Sequence, residues 1–140
     1  MRIRTLLATT AVAVAASVAV AAPASANKDG TCHLGDLCYW WGANWNGSTI
    51  DYAGLGGANP VADYSQDRFL SPGTGQGSRV ANNAEAVANF DPDYWVGLYT
   101  GPNFTGAHMT LGPYHSGYPW YSGNLPATFK NNLESHNWGS

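Results

Sequence analysis

Basic residues are scarce in this sequence. Only six Lys or Arg stand against nine Asp or Glu among 140 residues, and two of the six lie within the first four positions. Nucleic acids and anionic membrane surfaces are bound through clustered Lys and Arg. The scarcity therefore excludes nucleic acid as a partner and argues against an anionic membrane surface.

Long apolar runs are absent apart from one at the N-terminus. Two arginines precede an apolar run at residues 6–22, and Ala24-Ser25-Ala26 follow it as small residues suited to cleavage. This order is typical of a secretory signal peptide, and the run is slightly short of the ~20 residues of a membrane-spanning helix. We therefore expect residues 1–26 to be removed, and residues 27–140 to form a secreted protein with no membrane attachment.

Apolar stripes at helical spacing are missing as well, and 17 Gly with 8 Pro interrupt the chain. Short aromatic and β-branched runs between turn residues, as at 37–41, 94–99 and 108–111, are typical of an all-β sandwich or barrel. All six Trp lie in residues 27–140, and so large an aromatic content predicts a folded core. We expect a single all-β domain, in which residues 81–88 form a loop with at most one helical turn.

Cysteine is nearly absent too. Cys32 and Cys38 are the only two, and in an oxidising compartment they predict one disulfide that closes a tight loop. So short a loop stabilises the fold by less than the ~3 kcal/mol expected for a 15-residue loop. The alternative is a metal site with His33, which supplies three ligands where a structural zinc site needs four. The disulfide is the better interpretation.

An internal repeat is the strongest feature that is present. Residues 40–47 align with residues 99–106 at an offset of 59, and both copies read aromatic, x, Gly, x, Asn, aromatic, x, Gly. Residues 82–86 align with residues 131–135 at an offset of 49, and both begin with Asn-Asn. The order hairpin, Asn-Asn loop, hairpin, Asn-Asn loop predicts two copies of one supersecondary unit.

The repeated hairpin residues are predicted to be structural. Two aromatics five residues apart can stack across a turn, and the glycine suits a positive φ. These positions are Trp40, Trp45 and Gly47 in the first copy and Tyr99, Phe104 and Gly106 in the second. If the Phe104 ring is buried, its replacement by Ala should cost about 3–5 kcal/mol. Asn44 and Asn103 are expected to bond the backbone of their own turns. The alternative is two unrelated Gly-rich turns.

With both elements in this order, the sequence resembles the βγ-crystallin superfamily. The opening Cys32-x2-Gly35-x-Leu37-Cys38-Tyr39 and the stretch from Asn89 to Gly106 are similar to secreted actinobacterial proteins of peptidase inhibitor family 36. The resemblance implies two Greek-key motifs packed as a sandwich and related by a pseudo-twofold axis. It also implies a non-enzymatic inhibitor of metalloproteases, with a secreted protease as partner.

The inhibitory loop is unknown from the sequence. An inhibitor of this type braces its binding loop with a second disulfide, and the chain has no third or fourth cysteine. A rigid exposed loop in a pre-organised shape is nevertheless what inhibition requires. The Gly/Pro-rich segments 54–77 and 114–126 are the candidates.

The resemblance further implies a candidate Ca²⁺ site at each Asn-Asn loop. The second loop offers Asn131, Asn132 and Ser135, whereas the first offers Asn82 and Asn83 but has Ala86 in place of the hydroxyl. Ca²⁺ takes six to eight oxygen ligands, and amides add no negative charge to a site. We therefore expect no required cofactor and at most one weakly bound Ca²⁺. The alternative is that these asparagines satisfy loop backbone.

Other functions compete with inhibition as interpretations of the sequence. Residues 115–121 carry three aromatics that could stack on sugars, so a glycan- or cell-wall-binding module, or a killer-toxin-like protein, is the alternative. Glu85 and Glu134 are repeat-equivalent and could form a glycosidase pair, although such residues are more often solvated loop charges. The four histidines (His33, His108, His115 and His136) show no ligand spacing and are expected at the surface or in loops. We therefore expect a monomeric binding protein and not an enzyme.

Overall fold

The fold consists of strands, as predicted. The computed structural model describes residues 28–54, 56–114, 117 and 120–139, so the predicted signal peptide lies outside the described residues. The strands are β1 (Asp36–Gly42), β2 (Asn46–Ala53), β3 (Ala86–Asn89), β4 (Trp95–Gly101), β5 (Thr105–Leu111), β6 (Ser122–Asn124) and β7 (Ser135–Gly139), with a short 3₁₀ turn at Pro102–Phe104. In this part of the chain, no helix has the length and hydrophobicity of a membrane span.

Two antiparallel sheets are formed, and the two copies of the repeat exchange strands between them. The first sheet has the order β2-β1-β3-β6 and the second has the order β5-β4-β7. Strand β6 of the second copy pairs with β3 of the first. In return, Val61 of the first copy pairs with His136 of β7, with N–H···O distances of 2.9 and 3.0 Å in the two directions. These are two interlocked Greek keys, which confirms the predicted fold class.

The repeat is visible in the backbone as well as in the sequence. Both hairpins shift register just after their first aromatic residue, between Trp40 and Gly42 and between Tyr99 and Gly101. Asn and the following aromatic then adopt left-handed φ in each copy, 56° and 58° in the first and 55° and 61° in the second. The later glycines have φ of 80° and 82°. The two turns therefore share one backbone conformation, which favours Asn and Gly.

The core lies between the sheets and is built by alternation along the strands. Leu37 and Tyr39 of β1 face inward, and the side chains between and after them face outward. The largest fully buried side chains are Tyr39, Tyr52, Tyr64, Phe69, Leu37, Ile50, Leu98, Leu111, Leu133, His136, Val80 and Val87. Three buried tyrosines in so small a core require hydrogen-bond partners for their hydroxyl groups.

The expectation of a loop over residues 81–88 was wrong at its C-terminal end. Strand β3 begins at Ala86 and lies in the middle of the first sheet, between β1 and β6. Alanine favours helix when it is isolated, but here pairing on both sides decides the conformation. Ala86, Val87 and Ala88 are all fully buried, so the small side chains suit a crowded central strand.

The expectation that all histidines lie at the surface or in loops was wrong for His136, which belongs to strand β7. Its ring is fully buried, and its Nδ1 is 2.6 Å from the hydroxyl of Tyr64. The Tyr64 hydroxyl is also 2.8 Å from that of Tyr39. Nearby, the Tyr52 hydroxyl donates to Asp67, which pairs with Lys28 at 2.8 Å. His136 therefore serves as the polar partner of Tyr64 and, through it, of the hydroxyl pair with Tyr39, while Asp67 is the partner of Tyr52.

The buried histidine predicts a pH-dependent stability. Burial, aided by the positive charge of Lys28, lowers the pKa of His136 to about 3. In the unfolded chain the histidine has a pKa of ~6.5 and binds a proton below that pH, whereas His136 in the folded chain stays neutral. The free energy of unfolding therefore falls as the pH drops below ~6.5. We expect a loss approaching about 1.4 kcal/mol per pH unit, measured by urea unfolding between about pH 7.5 and about pH 5.5.

The pH range is chosen because buried carboxyl groups act in the opposite direction. Burial raises the pKa of Asp36 and of Asp51, which stabilises the fold on further acidification. The His136→Asn variant should lose the dependence, and the variant of the exposed His33, His33→Gln, should keep it. If the asparagine variant does not fold, the ring signals of His136 in the native protein decide: a titration near its ordinary pKa would contradict the account.

Candidate functional site

The predicted disulfide is present and closes an exposed turn. Cys32 and Cys38 are bonded, with their Cα atoms 6.1 Å apart. Inside this loop the carboxylate of Asp36 accepts a hydrogen bond from the backbone N–H of His33 at 2.7 Å. Leu34 at the tip is 71% exposed. The disulfide thus holds one short protruding turn in place.

The second hairpin has its two aromatics in contact. The rings of Tyr99 and Phe104 are 5.8 Å apart in an edge-to-face arrangement, and His108 stacks on Tyr99 at 5.9 Å. The buried hydroxyl of Ser135 donates to the Gly101 carbonyl at 2.7 Å and accepts from the Phe104 N–H at 3.1 Å. The Asn-Asn loop of the second copy therefore fastens its own hairpin.

The first hairpin differs in its second aromatic. Trp45, the counterpart of Phe104, is 51% exposed, and buried Ala86 occupies the position of Ser135. The Asn44 N–H donates to the side-chain oxygen of Asn124 at 2.6 Å, and the Asn124 amide donates back to the Asn44 side chain at 2.9 Å. The Asn44 side chain thus bonds to strand β6 of the other copy, whereas a bond to the backbone of its own turn was expected.

The two Asn-Asn loops face each other and bond reciprocally. The Asn82 N–H donates to the Leu133 carbonyl at 3.0 Å, and the Asn131 N–H donates to the Ala84 carbonyl at 2.8 Å. The Asn82 side chain donates to Glu134 at 2.7 Å, and the Asn131 side chain donates to Glu85 at 3.2 Å. The loops are therefore related by the pseudo-twofold axis.

Calcium at these loops stays a prediction. The side-chain N–H groups of Asn83 and Asn132 donate to the carbonyls of Ala81 and Thr128, and the Ser135 hydroxyl bonds to the hairpin. Ca²⁺ would bind the side-chain oxygens of the asparagines, which these two bonds do not use.

The repeat-equivalent glutamates do not resemble a catalytic pair. Lys130 lies 3.0 Å from Glu85, and its hydrogen bond lowers the pKa of that carboxyl. A glycosidase acid requires a raised pKa, so that the carboxyl group still carries a proton at working pH. Each glutamate also accepts from an asparagine of the opposite loop. The geometry supports a structural role for both.

A largely exposed loop lies at residues 70–77, within the candidate segment 54–77. Its two ends pair with each other: the Phe69 N–H donates to the Ser78 carbonyl at 3.0 Å, and the Gly77 N–H donates to the Phe69 carbonyl at 2.8 Å. Between these ends Leu70, Pro72, Gly73, Thr74, Gln76 and Gly77 are exposed. We call this segment the braced loop.

The braced loop is also fastened to the outer edge of β2. The Leu70 N–H donates to the Thr49 carbonyl at 2.9 Å, and the Ser48 N–H donates to the Thr74 carbonyl at 2.8 Å. The Thr49 N–H donates to the Ser71 hydroxyl at 2.8 Å. Strand β2 is the edge of the first sheet, so the loop satisfies backbone groups that would otherwise face solvent.

A glycine fixes the path of the braced loop over an aromatic ring. A Cβ at Gly75, whose φ is +88°, would come within 2.3 Å of ring atoms of Trp41. The Trp41 ring in turn packs edge-to-face on Phe69 at 5.9 Å. Only glycine allows this close approach, and the loop is held by packing as well as by hydrogen bonds.

The change in repeat offset could have located this loop. The offset falls from 59 at the hairpins to 49 at the Asn-Asn loops, so the first copy has ten more residues between the two motifs. The braced loop lies inside candidate segment 54–77. Of the other candidate segment, 114–126, residues 115, 116, 118 and 119 lie outside the described part, and Trp120 and Tyr121 are half-buried.

Comparisons with known proteins agree on the fold and suggest a family. The model of peptidase inhibitor family I36 matches residues 25–111. No curated protein sequence matches the chain. A structure described as "Evolution of the eye lens beta-gamma-crystallin domain fold" superposes with a TM-score of 0.54 at 13% identity, covering 80% of this chain and 92% of that one. At so low an identity, this likeness shows the fold alone.

Two further structures were matched. A double mutant of a βγ-crystallin domain from Clostridium beijerinckii has a TM-score of 0.48 at 12% identity, covering 74% of this chain and 94% of that one. The N-terminal domain of Protein S has a TM-score of 0.48 at 15% identity, covering 75% and 96%.

Truncation of the second aromatic side chain should lower the free energy of unfolding by different amounts in the two hairpins. Phe104 is only half-buried, so Phe104→Ala should cost about 1–3 kcal/mol, less than the value for a fully buried ring. Trp45→Ala, at the equivalent but more exposed position, should cost about 1 kcal/mol or less. Urea unfolding with an unchanged m-value measures both. Equal losses would show that the hairpins depend on their second aromatic to the same degree, contrary to this account.

Proposed function

The chain belongs to peptidase inhibitor family I36, and from this we propose that it is a secreted protein that inhibits a peptidase by binding it, without catalysis of its own. The family match is the observation that supports an inhibitory function. The braced loop is the surface that we propose contacts the peptidase. The proposal includes export by the signal peptide at residues 1–26 and action as a monomeric domain of residues 27–140.

The braced loop has the properties that an inhibitory loop needs. Such a loop must enter a cleft without losing much conformational freedom, because ordering on binding costs affinity. Most side chains from residue 70 to residue 77 are exposed, while the ends of the loop pair with each other and the backbones of Leu70 and Thr74 bond to β2. These contacts take the part that a second disulfide plays in the inhibitors that the sequence resembles.

The side chains of the loop indicate what kind of cleft it would enter. No residue from Leu70 to Gly77 is charged, and Leu70 exposes 37% of its surface. A peptidase that selects a basic or acidic side chain would find no partner here. We propose a secreted peptidase with an apolar specificity pocket, and a metallopeptidase is the class that the family resemblance favours.

A titration of the mature protein against secreted metallo- and serine peptidases tests this proposal. We expect saturable inhibition of at least one peptidase, and Thr74→Arg should weaken it by about tenfold or more, since the added bulk and charge lie at the loop tip. Thr128→Arg, also an exposed threonine on a turn, is the matched control and should inhibit as the wild type does. Excess calcium in every well prevents chelation from imitating inhibition.

The rival surface is the disulfide-closed turn, whose Leu34 is more exposed than Leu70. If Leu34→Ala abolishes inhibition while Thr74→Arg does not, the turn and not the braced loop contacts the peptidase. If no peptidase is inhibited at micromolar protein, the inhibitory function itself is wrong for this chain.

A further inference from the structure

An aromatic recess lies on the outer face of the first sheet, opposite the core. It encloses about 390 Å³ and is lined by Trp40, Trp45, Ala88, Phe90, Tyr121 and Ser122. This volume falls in the ~300–1,000 Å³ range of small-ligand sites. The recess is formed by strand residues and the first hairpin, and it does not include the braced loop.

The recess exists because small residues form its floor between larger ones. Ala88 of β3 is paired with Cys38 on one side and with Ser122 of β6 on the other. Side chains on paired positions share a face of the sheet, so the small side chains of Ala88 and Ser122 lie next to each other in the recess, while Cys38 beside them is bonded to Cys32. Trp40 of β1 points to the same face, two residues along from Cys38, and rises above this floor as a wall.

The exposed ring of Trp45 is not explained by the fold. The second hairpin makes the same turn with Phe104, which packs on Tyr99 and is only partly exposed. The first hairpin places a larger ring at the equivalent position and leaves 51% of it exposed, at the border of the recess. Exposed aromatic surface at the edge of a cavity is a feature of binding sites.

The aromatic surface continues away from the sheet. Tyr121 is in edge-to-face contact with Tyr114, at a centroid distance of 5.2 Å, and Tyr114 packs on Phe90 at 5.5 Å. These contacts hold Phe90 and Tyr121 in fixed positions relative to each other. This side of the recess therefore needs little ordering on binding, because its rings already pack on a common neighbour.

The polar groups of the recess are neutral. Among the residues that the structure describes, its lining contains the hydroxyl groups of Ser122 and Tyr121 and no charged side chain. Asn124, which follows on β6, forms an amide pair with Asn44 beside Trp45. Phosphate or carboxylate ligands would find no counter-charge, whereas hydroxyl-rich ligands can bond to neutral hydroxyls and amides.

We propose that this recess binds a neutral oligosaccharide of β-linked glucose or N-acetylglucosamine units. In such sugars the ring substituents are equatorial, so each ring presents a flat face of C–H groups that can contact an aromatic face, whose charge is negative. The hydroxyl and acetamide groups at the ring edge match the neutral donors and acceptors around the recess. Binding of this sugar is a second activity of the protein, and it is independent of peptidase inhibition.

Titration with cellotetraose, laminaritetraose and chitotetraose, followed by tryptophan fluorescence and calorimetry, tests the proposal. We expect saturable binding of at least one of them, weakened by about tenfold or more in Trp45→Ala and less in Trp45→Tyr, which keeps an aromatic face. Leu34→Ala removes an exposed apolar side chain outside the recess and should bind as the wild type does. Tyr121→Ala provides a second test on the opposite wall.

Three outcomes would overturn the proposal. Absence of saturable binding of all three sugars at millimolar concentration would do so, as would binding that Trp45→Ala and Tyr121→Ala leave unchanged. A concentration-dependent dimer that Trp45→Ala dissociates would show that a second copy of the chain covers the recess. Trp45→Ala should retain full peptidase inhibition, and Thr74→Arg should retain full sugar binding, so the two functions can fail separately.

Discussion

The two halves of the molecule depend on each other for a strand. Each copy supplies a hairpin and a return strand to one sheet, while its crossing segment completes the other sheet, as in the pairing of β6 with β3 and of Val61 with His136. Neither copy can satisfy its own return strand alone, because the backbone partners on one side come from the other copy. The reciprocal bonds between the Asn-Asn loops, and the buried contact of Tyr64 with His136, extend this mutual dependence.

The two copies of the repeat have the same fold, so the positions at which they differ are informative. Where both copies agree, as in the left-handed turns and the register shifts, the residues maintain the fold. Where they differ, the first copy has features that the second copy shows to be dispensable: ten additional residues, which include the braced loop, and an exposed tryptophan in place of a packed phenylalanine. Both departures lie at or near the surface of the first sheet, and both carry the functions proposed for the protein.

The sequence predicted the fold because the repeat, the turn residues and the aromatic runs all indicate the same architecture. The disulfide followed from there being only two cysteines. Strand β3 could not be predicted from the sequence, because the conformation of Ala86 to Ala88 is decided by the strands paired on both sides. Nor could the burial of His136, which results from hydroxyl groups brought from distant positions. The braced loop lies within the candidate segment 54–77, but the contacts that hold it could not be predicted. These contacts are the bonds to β2 and the packing of Gly75 on Trp41, which join positions distant in sequence.

We expect residues 70–77 to keep one shape in the free protein without a second disulfide. Backbone ¹⁵N relaxation of the mature protein measures this, because it reports the motion of each amide whatever the target peptidase is. Order parameters of about 0.85 are expected for Leu70, Gln76 and Gly77, equal to those of the strands. Values below about 0.6 across the loop would show a flexible segment, and the loop could not then act as a braced inhibitory element.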